Sequence, residues 1–125
     1  MLIIGYPSIP YTSFYQIKSI AQIAQTPSNG LLLFDFDIEL CTYANTQNFS
    51  FALHVKNIKE LVLANALGAK YFIVDKSLAI NAQKVADDYL FDGKIMLLSM
   101  DESDIEFVAL NAIDGIIFEE SIKFL

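Results

Sequence analysis

Apolar residues fall into six short runs along the chain: Leu2–Gly5, Leu31–Phe36, Phe51–Val55, Tyr71–Val74, Ile95–Leu98 and Ile116–Phe118. Each run is nearly continuous rather than alternating, the pattern of strands in a parallel sheet that is covered on both faces. Between most of them the apolar positions take helical spacing. Phe14, Ile17, Ala21 and Ala24 share one face, as do Ile58, Leu61, Val62 and Ala66. Leu78, Ala82, Val85, Ala86 and Tyr89 form a third stripe, and Ile105, Val108, Ala109 and Ala112 a fourth, so four amphipathic helices are predicted. Ser13 with Gln16 and Ser103 with Glu106 have capping-box spacing, and Asn57 with Glu60 follows the same logic. Gly68 and Gly93 sit between a stripe and the next strand, where a left-handed helix stop suits glycine, and Gly30 and Gly115 occupy comparable joins. The interval from Ile38 to Asn48, rich in Thr and Asn, reads as a loop or a short helix.

From the second run onward, strand starts lie 20 to 24 residues apart, the length of one βα unit. Right-handed crossovers then force a parallel sheet. A length of 125 residues suits a single domain spanning 1–125. A closed eight-stranded barrel usually takes about 250 residues, which argues against one here. The expected fold is therefore α/β, a three-layer αβα arrangement of Rossmann-like or flavodoxin-like type, with a mostly parallel sheet of five to six strands. A half-barrel completed by a second subunit is the competing solution.

Composition adds partners to this picture. With 54% hydrophobic residues, 18% charged and a mean hydropathy of +0.43, the chain has ample apolar surface to fold. A domain this small struggles to hide it all, which points to a homo-oligomer or a protein partner. Tyr6, Tyr11, Phe14 and Tyr15 cluster around Pro7 and Pro10, and with the tail Ile122–Leu125 they offer a self-association surface or a completion of the core. The net charge of −7, from fifteen acids against eight lysines with no arginine, argues against nucleic acid, since phosphate needs a basic surface. The acids are uneven: four lie in residues 1–60 and eleven in 61–125. The single Cys41 allows no internal disulfide and fits a reducing compartment. Met1–Ile9 lacks a basic leader, and no apolar run approaches the roughly 20 residues that span a bilayer. A soluble, cytoplasmic protein with no membrane contact is the expectation.

Ligands of open parallel sheets gather beyond the carboxyl ends of the strands. Those ends carry Gly5 and Tyr6, Asp35 and Asp37, His54 and Lys56, Asp75 and Lys76, Ser99 and Asp101, and Glu119 and Glu120. The candidate cluster is Asp35, Asp37, His54, Asp75, Ser99 and Asp101, a set able to hold a cation or to move protons. Asp35 and Asp37, two apart in a strand, would point to one side and repel, so a metal such as magnesium, Lys76 or exposure must relieve them. Caps and solvated strand ends would account for the same residues without any ligand. Cys41 with His54 could act as a nucleophilic pair, though a packed cysteine and a hydrogen-bonded structural imidazole are the simpler roles. One Cys and one His provide poorly for zinc, and no glycine-rich phosphate loop is present.

The stretch Leu31-Leu32-Leu33-Phe34-Asp35-Phe36-Asp37 resembles the first motif of haloacid-dehalogenase-type phosphatases, with Ser99 matching the hydroxyl of the second motif. That resemblance implies a nucleophile and a general acid at Asp35 and Asp37, but Ile38 and Glu39 replace the expected glycine and threonine. The strand ends also resemble a response-regulator receiver domain, which implies metal-binding acids at Asp35 or Asp37, a phosphoacceptor at Asp75 and a small hydroxyl at Ser99. The final strand ends in Glu119 and Glu120 where that family has lysine. With each motif missing a member, the leading expectation is a non-catalytic binding or regulatory module on a receiver-like scaffold. It would act through protein contacts and need no cofactor. The alternative is a magnesium-dependent phosphoryl-transfer or hydrolytic enzyme using Asp35, Asp37, Asp75 and Ser99.

Overall fold

The computed structural model describes residues 1–125. Strands β1 (Leu2–Ile4), β2 (Phe14–Gln16), β3 (Leu31–Asp35), β4 (Phe51–His54), β5 (Tyr71–Val74), β6 (Lys94–Ser99), β7 (Gly115–Phe118) and β8 (Lys123–Phe124) form one sheet. The order is β1-β7-β6-β5-β4-β3-β2-β8 and every pairing is parallel. Helices α1 (Ile20–Ile23), α2 (Ile38–Thr46), α3 (Ile58–Ala66), α4 (Lys76–Asp88) and α5 (Asp104–Leu110) alternate with strands β2 to β7. The chain is α/β with αβα-like layering, as the periodicity implies, and has eight strands where five or six were expected.

The layering takes a curled form. β7 stands second in the sheet and β8 last, six strand spacings that would span about 29 Å in a flat sheet. Only residues 119–122 join them, with Ile122 N–H donating to Glu119 O in a single 3₁₀ turn, and five residue steps reach at most about 18 Å. The sheet must therefore bend until its ends approach. Phe14 on β2 and Tyr71 on β5, three spacings apart, meet edge to face with ring centroids 5.2 Å apart.

Side-chain packing follows the curl. Every helix residue in the core belongs to one cluster of 24, with Leu32, Phe34, Phe51, Leu53, Phe72, Val74, Ile95 and Leu97 supplying much of the sheet's convex face. A second cluster has no helix residue at all: Ile4, Phe14, Leu33, Ala52, Ile73, Met96, Ile117 and Ile122 fill the concave side. Both faces are apolar, which is why the strands read as continuous runs. As the sheet bends, helices on its convex face come to flank the molecule on opposite sides.

The length estimate that argued against a ring assumed a full helix after every strand. Here β1 runs to β2 through a helix-free loop, β2 to β3 through the four-residue α1, and β7 to β8 through one turn. Residues 14–16, expected to open a helix, are instead strand β2, so Ser13 and Gln16 form no capping box.

The helix stops repeat. After α2, α3, α4 and α5 the chain turns through a left-handed residue: Asn48, Gly68, Leu90 and Ala112. The next amide then reaches back: Phe49 to Ala44 O at 2.8 Å, Ala69 to Ala64 O at 3.1 Å, Phe91 to Ala86 O at 2.9 Å and Ile113 to Val108 O at 3.0 Å. This is the six-to-one bond of a Schellman stop with an apolar residue behind it. Gly93 and Gly115 do not serve as stops; only Gly68 does.

Candidate functional site

Alternation along a strand sends successive side chains to opposite faces. On β3, Leu31 and Leu33 face the concave interior, so Asp35 continues that stripe at its carboxyl end. His54 follows Ala52 on β4, and Asp75 follows Ile73 beyond β5 in extended backbone. Asp35 and His54 are register partners across β3 and β4. The structure thus sets Asp35, His54 and Asp75 in a row on three neighbouring strands, above an apolar floor.

Within the row, His54 Nδ1 lies 3.7 Å from Asp35 Oδ1, and Nε2 lies 3.5 Å from Asp75 Oδ1. Both carboxylates are about 70% exposed, at 70% and 68%, whereas the imidazole is 27% exposed. Nε2 itself is buried and has no hydrogen-bond partner. Shallow clefts open along the same rim. One of about 180 Å³ lies beside Asp35 and Asp37 with Gln16 and Lys18, and another of about 280 Å³ lies between Ser99, Met100, Phe118, Glu119 and Glu120.

The other candidates are placed elsewhere. Strand β3 ends at Asp35, so the two-residue rule does not carry to Asp37; its carboxylate turns to cap α2 and accepts from Leu40 N–H at 3.0 Å. Ser99 shares its side of β6 with Ile95 and Leu97, the convex face, and is buried. Its hydroxyl donates to Asp104 Oδ2 at 2.7 Å and accepts from Asp101 N–H at 2.9 Å. The Asp101 carboxylate accepts from Ser103 N–H at 2.9 Å and shapes the turn into α5. Ser103 makes no side-chain cap, so the expected box with Glu106 is absent, whereas Asn57 does cap α3 through Glu60 N–H at 2.9 Å. No group of three or more His, Cys, Asp or Glu side chains is placed to hold a metal ion.

Asp104, which no motif marked, is the centre of a second polar group. Lys76 Nζ donates to its Oδ1 at 2.9 Å and stands 4.8 Å above the Phe107 ring. The Ser99 hydroxyl bond, then Lys76, hold the Asp104 carboxyl below the ordinary carboxylate range. Gln83 was also missed. It is buried on α4, where its side-chain oxygen accepts from Asp114 N–H at 2.9 Å, while Asp114 Oδ2 accepts from Ile95 N–H at 2.9 Å. This network ties α4 to the amino ends of β6 and β7. At the rim, Tyr6 donates to Glu102 at 3.1 Å, and that bond raises the phenol pKa.

Cys41 is fully buried on α2, and desolvation pushes its thiol up to about 11, so a thiolate nucleophile paired with His54 does not form there. A cleft of about 710 Å³ lies at the opposite end against Met1, Leu2, Val108 and Ala112, beside the charged side chains of Lys94 and Asp114. No helix is long and apolar enough to cross a membrane. Neither a protein-family model nor a curated protein sequence matches the chain.

Proposed function

We propose that the chain is a small non-catalytic binding or regulatory module whose working surface is the carboxyl mouth of the curled sheet. It acts through protein contacts in the cytoplasm, as a homo-oligomer or with a protein partner, and binds neither nucleic acid nor membrane. The observation that carries this reading is the Asp35–His54–Asp75 row, exposed over an interior already filled by Leu33, Ala52 and Ile73. Catalytic carboxylates gain their strength in water-excluded chambers, whereas these two stand open to solvent, where a partner can reach them. Exposed apolar side chains at this end, Met100 just beyond β6 and Phe124 beside Gln16 at the end of β2, add contact area. The absence of arginine and the charge of −7 favour a partner that presents basic groups.

Light scattering across a concentration series, run beside a phosphatase assay on p-nitrophenyl phosphate, tests the reading. A mass above the 14.0 kDa chain and no turnover are expected. A strict monomer that hydrolyses the ester would overturn it.

Magnesium-dependent phosphoryl transfer is the second reading, favoured by Asp35 and Asp75 sharing one face. It loses two of its four residues, because Asp37 caps a helix and Ser99 faces α5. A ligand that binds only the folded state raises its melting temperature, so a magnesium-dependent rise lost in Asp35→Asn would restore this reading.

A further inference from the structure

Asn29 is the only asparagine in the chain that is followed by glycine, and the pair lies in the turn between α1 and β3. Glycine has no Cβ to shield its amide nitrogen. In an Asn-Gly pair that nitrogen can therefore close on the side-chain carbonyl carbon of the asparagine with little steric cost. The other asparagines precede Thr46, Phe49, Ile58, Ala66, Ala82 and Ala112, each of which carries a Cβ. Two Asp-Gly pairs could follow the same route, but both are packed. Gly115 is a buried member of β7 and Asp114 accepts from Ile95 N–H, while Gly93 is buried against the Phe72 ring. Around Asn29 the turn is closed by Gly30 N–H donating to Pro27 O at 3.1 Å. Pro27, Ser28 and Asn29 are all exposed, so opening that turn uncovers no core and frees the amide at little cost.

We propose that Asn29 is a site of spontaneous deamidation in the folded protein. Gly30 N bonds to Asn29 Cγ and gives up its proton, the Cγ–Nδ2 bond breaks, and ammonia leaves with that proton. Water then opens the cyclic imide at either carbonyl. Attack at Cγ yields aspartate, and attack at the main-chain carbonyl yields isoaspartate, whose backbone runs on through Cβ and Cγ. Residues 1–30 hold one lysine and no acid, so either product brings that stretch its first carboxylate. Isoaspartate also lengthens the main chain where there is no slack. A Cβ built on Gly30 would fall 2.6 Å from Tyr15 Cδ2, and Leu31 N–H donates to Ser13 O at 3.2 Å to start the β2–β3 pairing. The isoaspartyl form should therefore melt below the aspartyl one.

The test is to hold the native protein in mildly alkaline buffer at physiological temperature, beside the same chain in urea, and to map isoaspartate in peptides by enzymatic methylation and fragmentation. Isoaspartate at position 29 in the native sample, with ammonia released alongside it and both lost in Asn29→Gln, is the expected result. A native sample that stays unmodified while the chain in urea converts would show that the turn protects the pair, and overturns the proposal. Isoaspartate appearing first at Asp92 or Asp114 overturns it as well. Asn29→Asp adds the charge without the longer backbone, so an isoaspartyl fraction that melts with this variant overturns the effect assigned to the β2–β3 join. None of these readouts depends on what the mouth of the sheet binds.

Discussion

The Ser99 hydroxyl donates to Asp104 Oδ2 at 2.7 Å, across the convex side of the sheet and away from His54. The bond is charge-assisted and buried at its serine end, so Ser99→Ala should cost about 1.5–3 kcal/mol at neutral pH, read by denaturant unfolding. The folded-state pKa of Asp104 is depressed below its ordinary 3.8, so its contribution is present above that value and lost as pH falls through the lowered one. The gap between wild type and Ser99→Ala should therefore narrow in acid. A gap that stays constant down to the acid transition would mean that the carboxylate is not the partner that matters.

Gly5 closes the curl. Its φ of +99° is open to glycine and strained for other residues, and a Cβ built there would fall 2.6 Å from Ser121 Cβ, in the turn between β7 and β8. Gly5→Ala should destabilise by about 2 kcal/mol or more, from the left-handed backbone and the overlap together. Combining it with Ser121→Gly should recover part of the loss, because the overlap goes while the backbone strain stays. Strict additivity of the two substitutions in unfolding experiments would place Gly5 and Ser121 out of contact.

The alternation of strands and helices was legible from β3 onward because each unit buries a stripe of fixed period. The curl was not legible. Leu33, Ala52, Ile73 and Met96 on the concave face are as apolar as Leu32, Phe34 and Phe72 on the convex one, so nothing distinguishes side chains meeting each other from side chains meeting helices. Strand β2 is three residues long, too short to show a period of two, and Phe14 with Ile17 happen to lie at helical spacing. Helix α2 was obscured by Thr42 and Thr46, residue types that favour turns, whose hydroxyls here donate to the carbonyls of Ile38 and Thr42 at 2.9 Å and so find partners within the helix. In the candidate cluster, parity along each strand separates His54 from Ser99, but which parity faces the interior emerges only once the sheet has bent.

Leu90 is the least favourable of the four helix stops. It holds φ +53° and is 84% exposed, so it has strain with no packing to offset it. Leu90→Gly should stabilise the protein by roughly 0.5–1 kcal/mol, since the left-handed conformation costs a side-chain-bearing residue about 1–2 kcal/mol and glycine returns part of that in unfolded-state entropy. The same change at Tyr89, whose φ is −105°, should destabilise instead. Paired thermal melts of the two variants test the sign directly; two shifts in the same direction would count against the stop described for α4.

Cys41 offers a probe of the core from the chemical side. It is fully buried among helix and strand side chains, and desolvation raises its thiol from 9.0 to about 11. The raised value means that the folded state favours the protonated thiol. Its contribution is complete below the unfolded value near 9 and is lost as pH rises through about 11. Stability should accordingly fall between those limits, and Cys41→Ala should flatten that fall while costing stability at neutral pH through the lost volume. At pH 8 a thiol reagent should modify native protein only at the rate at which the chain opens, because the thiolate is scarce and the sulfur inaccessible. Prompt stoichiometric modification under native conditions would require α2 to lie off the sheet, and would remove the packing described for that face.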